Sequence, residues 1–315
     1  MDLVADIGAT NARFQFSEAQ QLKGEAVVLA TADYDSTATL LEEARARLPS
    51  EPVDRALLAV AGPARQPQRI EVTNTGLVLE QQTAGSVLGC EVRLVNDFFA
   101  LAHGVPHFKA LEQLGGDVPQ RANKALLGPG SGLGMATLLP PLSADERYWR
   151  VVGSEGGHAD LPPGSPLEAE LWAILARRHG HVCWETVLSG PGLQNLYAAM
   201  CEIWGMRPAV LTPAQISAQG CDMSDAVCHQ TLETFCAWLG AAAGNLALTV
   251  TAVGGVYIGG GVIGHMLDFV RASALRRRFE ERGAMTDMIQ RVPLLLITEA
   301  DPGLLGAALV CAEGE

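Results

Sequence analysis

Basic residues are scarce in this chain of 315 residues. It has 22 Lys and Arg against 35 Asp and Glu, which gives a formal net charge of −13. A partner with a phosphate backbone requires clustered cationic side chains, so this composition disfavours nucleic acid. The N-terminal sequence MDLVADIG also lacks a basic region followed by an apolar one, and the sequence therefore carries no signal for export.

Several sequence signatures are missing as well. The seven cysteines are scattered and never form a C-x-x-C pair, which is typical of reduced, mostly buried thiols in a cytoplasmic protein. There is no Gly-Lys dipeptide, which excludes a Walker A loop. Neither His-Arg-Asp nor G-x-S-x-G occurs, so the protein-kinase and α/β-hydrolase motifs are excluded too.

Residues 234–264 carry no charge, and a run of that length could in principle span a bilayer. Eight glycines interrupt the run, and it also contains Asn245 and three threonines. We therefore interpret it as a small-residue helix packed against a neighbour, followed by a buried strand and a glycine turn. No membrane partner is expected.

The chain alternates strand and helix patterns, which is typical of an α/β protein. Thr39 and Glu42 have the spacing of a capping box at the start of the first helical pattern. Gly, Pro and charge cluster at 103–117, where we predict a domain boundary. The predicted strands are 3–7, 12–17, 55–64 and 91–98; the predicted helices are 39–48, 165–180, 192–205 and about 224–250; two further βα units are 254–261 onward and 292–312.

The stretch DIGATNARF places a carboxylate, a turn and two short polar side chains at the end of the first strand. Backbone N–H groups in the turn Gly8–Asn11, together with the side chains of Thr10 and Asn11, could hold phosphate oxygens. Asp6 would repel phosphate, so its natural partner is Mg²⁺ or water bound to Mg²⁺. A plain β-hairpin remains an alternative for this stretch alone.

Two further glycine clusters follow strands. GPGSGLG at 128–134 lies between two short apolar runs and predicts a second strand-turn-strand unit, which could face the first across a nucleotide. The cluster YIGGGVIG satisfies G-x-G-x-x-G through Gly259, Gly261 and Gly264, with Glu280 near the offset of a ribose-binding acid. An NAD-dependent oxidoreductase is therefore an alternative, although no companion mononucleotide units follow this turn.

Polar side chains cluster near the ends of predicted strands and in glycine-rich loops. They are Asn96, Asp97, Glu155, His158 and Glu185. This mixture of acceptors and donors suits a neutral polyol, whose hydroxyl groups each donate and accept hydrogen bonds. A zinc site formed by His and Glu is less well supported, because no second histidine has H-x-x-x-H spacing to His158.

Seven segments together resemble the bacterial glucokinase family of the non-ROK type. They are DIGATNARF, VNDFFALAHGV, GPGSGLG, SEGGHAD, VLSGPGLQNLY, GGVYIGGG and DPGLLGAAL, in the family's order through nearly the whole chain. The resemblance implies a two-domain α/β fold of the actin-like ATPase (ribonuclease H-like) type with a deep interdomain cleft. It implies a smaller domain of 1–107 with 299–315 and a larger domain of 108–298. The implied activity is ATP-dependent phosphorylation of glucose at its 6-hydroxyl, and a homodimer is expected.

The resemblance also assigns roles to residues. Asp97 matches the catalytic general base, and Asn96, Glu155, His158 and Glu185 match the sugar-binding residues. The ATP and Mg²⁺ contacts are expected at Asp6, Gly8, Ala9, Thr10, Asn11, Ser131, Gly132, Gly259, Gly260 and Gly261. Ala9 and Ser131 replace the family's usual Gly and Thr, so the first turn must avoid positive φ. A non-catalytic sugar sensor is a further alternative, although this chain enters its first strand at residue 3 and leaves no room for a preceding DNA-binding module.

Overall fold

The computed structural model describes residues 1–62, 68–73, 75–143 and 148–312. The chain divides into two compact units, which we call the first unit (Met1–Ala110 with Glu299–Glu315) and the second unit (Leu111–Thr298). The division predicted above differs from this one at residues 108–110. As a division into functional domains it stays a prediction.

The first unit contains a five-stranded sheet in the order β3-β2-β1-β4-β7 and a small β5-β6 pair. Strands β1, β4 and β7 are parallel, whereas β2 and β3 are antiparallel additions at one edge. The strands are β1 (Asp2–Ile7), β2 (Asn11–Glu18), β3 (Gln21–Ala30), β4 (Arg55–Val60), β5 (Arg69–Glu71), β6 (Val78–Glu80) and β7 (Glu91–Asn96). The helices are α1 (Thr37–Arg47), α2 (Gln81–Leu88), α3 (Asp97–Gly104) and α12 (Pro302–Ala312).

Both faces of this sheet are buried, because alternate residues of each strand point to opposite faces. Leu3, Ala5 and Ile7 of β1 belong to one apolar cluster, and Val4 belongs to a second cluster with α3 and α12. Helices α3 and α12 approach closely at Gly306, where a Cβ atom would overlap the carbonyl oxygen of Ala100. The segment after residue 298 therefore completes the core of the first unit.

The predicted capping box at Thr39 and Glu42 is wrong. Helix α1 begins at Thr37, and its N-cap is Ser36, whose hydroxyl accepts the N–H of Thr39 at 3.3 Å. A hydroxyl or short polar side chain caps best when its own backbone is still extended, as that of Ser36 is. Ser36 and Thr37 also carry hydroxyl groups, and the capping-box pattern placed the N-cap at Thr39, three residues after the actual N-cap.

The second unit contains a six-stranded sheet in the order β11-β10-β9-β12-β13-β8, in which β9, β12 and β13 are parallel. The strands are β8 (Leu111–Gly115), β9 (Lys124–Pro129), β10 (Leu133–Leu139), β11 (Arg150–Ser154), β12 (Val256–Ile258) and β13 (Leu294–Ile297). The helices are α4 (Pro166–His179), α5 (Gly190–Ile203), α6 (Pro213–Cys221), α7 (Ala226–Val250), α8 (Gly261–Gly264), α9 (Leu267–Ala272), α10 (Leu275–Glu280) and α11 (Thr286–Arg291).

Helix α7 lies in the core of this unit and accounts for most of the uncharged run at 234–264. Trp238, Leu239 and Phe235 are completely buried, and a Cβ atom at Gly240 would overlap the carbonyl oxygen of Leu275. Small residues thus allow close helix packing, as the sequence indicates. Within the described ranges, none of the helices combines the length and the apolar character needed to cross a bilayer.

Candidate functional site

The parallel strands of the first unit bring two predicted site segments to one edge of the sheet. Ile7 of β1 pairs in register with Val60 of β4, which pairs with Asn96 of β7. Asp6 and Asp97 therefore lie near the same carboxyl edge, with one strand between them. Carboxyl ends of parallel strands are where open α/β sheets bind ligands.

The first glycine turn joins β1 to β2. The N–H of Gly8 donates to the carbonyl oxygen of Asn11 at 2.9 Å, and the hydroxyl of Thr31 donates to the carbonyl of Gly8 at 2.7 Å. Neither Ala9 nor its neighbours in the turn have positive φ, as the replacement of glycine by Ala9 requires. The N–H of Gly8 closes the turn, and the neighbouring groups of Ala9, Thr10 and Asn11 remain to contact a ligand.

Asn96 and Asp97 adopt different roles where β7 ends and α3 begins. Asn96 is the N-cap, and its Oδ1 accepts the N–H of Phe99 at 3.0 Å. Its amide group donates to the carbonyl of Gly62 at 2.9 Å and to Oδ1 of Asp97 at 3.1 Å. Asp97 Oδ1 also accepts the N–H of Phe98 at 2.8 Å. The helix is therefore capped by Asn96, and Asp97 is not needed as its cap.

The carboxyl group of Asp97 is strongly perturbed. Burial, and after it the nearby charge of Asp6, raises the pKa of Asp97 to about 7, against the lowering effect of its contacts with Phe98 and Asn96. Burial also raises the pKa of Asp6, and the guanidinium of Arg13 partly offsets this effect. Two carboxyl groups that repel each other at a strand edge favour either a bound cation or a shared proton.

Asp6 has a neighbour that the sequence patterns do not assign to the site. A Cβ atom at Gly303, in the first turn of α12, would overlap the carboxylate of Asp6. The adjacent Asp301 lies 3.9 Å from the guanidinium of Arg13. The motif DPGLLGAAL contributes to the family resemblance, but only the fold shows that its glycine leaves space for Asp6.

The second glycine turn joins β9 and β10 as an antiparallel hairpin, as the sequence predicts. The N–H of Gly130 donates to the carbonyl of Gly132, and the N–H of Gly190 donates to the carbonyl of Gly130, both at 2.8 Å. Ser131 lies between the two glycines and is partly exposed. The turn is thus fixed to the start of α5, a connection that no local sequence pattern reveals.

The third glycine cluster packs against the second turn. The N–H of Gly259 donates to the carbonyl of Leu127 at 3.1 Å, and Gly260 has φ +96° with its Cα facing the backbone of Pro129. Gly261 begins α8, which has only four residues. A dinucleotide fingerprint requires a full helix after the turn, so the G-x-G-x-x-G match lacks its structural context.

Three of the proposed sugar residues lie in or directly before two short 3-10 turns of the second unit. Glu155 immediately precedes the 3-10 turn Gly156–His158, and Glu185 lies in the 3-10 turn Trp184–Thr186. Oε1 of Glu185 is 4.0 Å from Nε2 of His158. Within the described ranges, no group of three or more His, Cys, Asp or Glu side chains is arranged to bind a metal ion.

Comparison with known proteins identifies the family. The family model described as Glucokinase matches residues 3–314. A curated glucokinase from Chromobacterium violaceum is 38% identical over 315 residues, and the match covers 99% of this chain and 89% of the relative. The chain belongs to the glucokinase family. A second curated glucokinase, from Hahella chejuensis, is 37% identical and covers 97% of this chain and 95% of the relative.

Solved structures of glucokinases confirm the predicted α/β actin-like ATPase fold. The crystal structure of a glucokinase from an Antarctic psychrotroph has a TM-score of 0.81 at 34% identity and covers 99% of both chains. A ROK family glucokinase from Streptomyces griseus is only 19% identical with a TM-score of 0.68, which shows a shared fold alone. Membership of the glucokinase family favours the predicted kinase over the oxidoreductase and the sugar sensor.

Proposed function

We propose that Asp97 is the general base in the ATP-dependent phosphorylation of glucose, the activity that belongs to the glucokinase family. The observation that carries this proposal is the position of the Asp97 carboxyl group, which is partly buried at the first residue of α3, directly after β7. Burial there raises the pKa of Asp97 to about 7. A general base is most effective when its pKa is close to the working pH. An unperturbed aspartate would be a much weaker acceptor for the proton of a sugar hydroxyl.

The hydrogen bonds of Asp97 support this role. Oδ1 accepts from the N–H of Phe98 and the amide of Asn96, which fixes the orientation of the carboxylate. Neither of these bonds uses Oδ2, so this oxygen can accept a substrate hydroxyl. As the hydroxyl oxygen attacks the γ-phosphorus, Oδ2 takes the hydroxyl proton, the bond between the γ-phosphorus and the bridging oxygen of ATP breaks, and ADP leaves.

Sugar recognition is proposed at Asn96, Glu155, His158 and Glu185, together with Asp97 itself. Glu155 and His158 are exposed, and Glu185 is partly exposed, so their polar atoms can reach a ligand. Carboxylates accept hydrogen bonds from hydroxyl groups, and the ring of His158 can donate one. Both N–H groups of the Asn96 amide are already used, so Asn96 would contact sugar through the second lone pair of its Oδ1. Glucose and a nucleotide analogue are named as ligands of the Streptomyces griseus relative, which is consistent with this assignment.

The nucleotide is proposed at the three glycine segments, namely Gly8–Asn11, Ser131 with Gly132, and Gly259–Gly261. Asp6 fits a role in holding Mg²⁺, because no hydrogen-bond donor contacts its carboxylate among the described residues and burial raises its pKa. Hard oxygen ligands of this kind bind Mg²⁺, commonly through water. When bound, Mg²⁺ would neutralise charge on the phosphates of ATP.

Location and assembly follow as further proposals. All seven cysteines are free, which is consistent with a reducing compartment such as the cytoplasm. The proposed homodimer rests on the family resemblance, and analytical ultracentrifugation at micromolar concentration would test it. A single monomeric species across that range would contradict the proposal.

The test of the general base is the variant Asp97→Asn. Asn keeps the acceptor for Phe98 N–H and a similar volume, but it cannot take a proton, so we expect kcat to fall by roughly 10²–10⁴-fold. Glucose affinity, measured by calorimetry, should change by less than about tenfold, because the amide still forms hydrogen bonds. The matched control is Asp33→Asn, at an exposed position of the same unit. A variant that keeps more than about a tenth of kcat would contradict the assignment.

A further inference from the structure

The second glycine turn and Glu185 form one hydrogen-bonded assembly inside the second unit. Oε2 of Glu185 accepts the N–H of Leu133 at 2.7 Å, at the residue where β10 begins. Oε1 of the same carboxylate lies 4.0 Å from His158. One oxygen of Glu185 is therefore bound to the turn, and the other faces the proposed sugar residues.

Gly132 is the residue that makes this contact possible. A Cβ atom at Gly132 would overlap Oε2 of Glu185 and lie 3.2 Å from its carboxyl carbon. The backbone at Gly132 does not have positive φ, so glycine is not required there for conformation. What the position requires is space, and the group that occupies this space is the carboxylate of Glu185.

The neighbouring contacts tie the turn to both sugar segments. A Cβ atom at Gly157, between Glu155 and His158 in the chain, would overlap the carbonyl oxygen of Leu133. The backbone of Glu185 is itself held, because its carbonyl oxygen accepts the hydroxyl of Ser189 at 2.9 Å. Leu133 thus contacts one sugar segment through its carbonyl and the other through its N–H.

We propose that Gly132 is a positioning residue for sugar recognition, and that sugar binding at Glu185 is energetically coupled to nucleotide binding at this turn. The inference rests on the proposed function, which assigns sugar to Glu185 and phosphates to the turn. A hydroxyl that binds Oε1 fixes the carboxylate, and Oε2 then fixes the Leu133 N–H and the turn beside it. By thermodynamic linkage, nucleotide at the turn must favour sugar at Glu185 by the same factor.

The first test compares Gly132→Ala with Gly130→Ala. Both add one methyl group to the same turn at a residue without positive φ, but no atom lies within 4 Å of the Cβ position at Gly130. Glucose binding is measured by calorimetry without nucleotide. Because the loss of a hydrogen bond between a hydroxyl and a carboxylate costs about tenfold or more in affinity, we expect the dissociation constant to rise at least about tenfold in Gly132→Ala. It should rise less than about twofold in Gly130→Ala.

The second test measures coupling directly. The affinity for a non-hydrolysable ATP analogue with Mg²⁺ is determined with and without saturating glucose. We expect the wild-type ratio to be about fivefold or more, within the usual range for coupled sites. The ratio should approach one in Gly132→Ala, and also in Glu185→Asp, where the shorter side chain keeps its charge but cannot reach Leu133. Glu185→Asp keeps the inference testable if Gly132→Ala does not fold.

The possible outcomes distinguish a failure of the proposed function from a failure of the role assigned to Gly132 and Glu185. Wild-type protein that neither binds nor phosphorylates glucose would refute the proposed function. Wild-type protein that does both, with Gly132→Ala and Gly130→Ala binding glucose equally tightly, would refute the role of Gly132 alone. A coupling ratio that survives in folded Gly132→Ala or in Glu185→Asp would refute the coupling through Glu185 and Leu133.

Discussion

Replacing Asp97 by Asn should make the protein more stable near neutral pH, although it removes the proposed base. The ionised carboxylate is destabilising in its environment, since burial and then the charge of Asp6 raise the pKa of Asp97 to about 7. Asn has no charge to desolvate. Its side-chain oxygen can still accept from the N–H of Phe98, as Oδ1 of Asp97 does. The variant therefore removes an electrostatic cost and keeps the local contacts.

The size of the effect follows from the pKa. A rise of the Asp97 pKa from its ordinary value of 3.8 to about 7 spans roughly three pH units. Each unit corresponds to about 1.4 kcal/mol, so the ionised group lowers the free energy of unfolding by at most about 4 kcal/mol. Asp97 keeps some contact with solvent, and we expect about half of that value.

The sign of the pH dependence is fixed by the direction of the shift. Below about pH 4 the carboxyl group is neutral in the folded and the unfolded chain, so its effect is absent there. Stability is lost as pH rises from about 4 to about 7, because the unfolded chain ionises first. Above about pH 7 the loss is complete. The advantage of Asp97→Asn should therefore be greatest at pH 8 and vanish near pH 4.

Differential scanning calorimetry without ligands measures this difference. A gain of about 2 kcal/mol should raise the Tm of the first unit's transition by roughly 4–8 °C at pH 8. Asp33→Asn, at an exposed position, should leave Tm within about 1 °C at both pH values. An Asp97→Asn variant that is no more stable than wild type at pH 8, or that gains equally at pH 4, would refute the electrostatic account of Asp97.

Three further predictions concern the reaction and its ligands. Glu185→Gln should raise the glucose KM by about tenfold, because one hydroxyl partner changes. The ATP KM should stay unchanged, because the amide oxygen can still accept the Leu133 N–H. A change in the ATP KM as large as that in the glucose KM would contradict this. The kcat/KM for glucose should decrease as the pH is lowered through about 7, because Asp97 becomes protonated. Asp6→Asn should move the midpoint of this decrease to lower pH, since the charge of Asp6 raises the pKa of Asp97. An unchanged midpoint would contradict an electrostatic interaction between Asp6 and Asp97. Dialysis against a chelator should leave glucose binding without nucleotide unchanged when it is measured by calorimetry, because Glu155 and His158 are proposed to bind sugar and not a metal ion. Stoichiometric zinc in the purified protein would overturn that proposal.

The strands that end at the candidate site were predictable from local pattern. The run at 91–98, which ends near the polar residues Asn96 and Asp97, is typical of a buried strand, and a strand was also predicted at 3–7, which contains Asp6; both strands are found. Strand β3 was not predicted, because it is a largely exposed edge strand that contains Lys23, Gly24 and Glu25. Its stability comes from pairing with β2 and not from its own composition.

The long-range contacts that position the site residues could not be predicted from local sequence pattern. Gly303 accommodates Asp6 although 297 positions separate them, and Glu185 binds Leu133 across 52 positions. Such contacts depend on which strands and helices become neighbours, and periodicity does not carry that information. The sequence indicated that glycine was needed at these turns. Only the fold shows which side chain fills the space that each glycine leaves.

The discontinuous first unit also constrains the order of events during synthesis. Leu304, Ala307 and Ala308 of α12 cover one face of the sheet formed by β1 and β4. On the ribosome, all of residues 111–298 emerge before this helix does. The nascent first unit therefore presents an uncovered apolar sheet face while the second unit can already fold, and surface of this kind is prone to aggregation until α12 covers it.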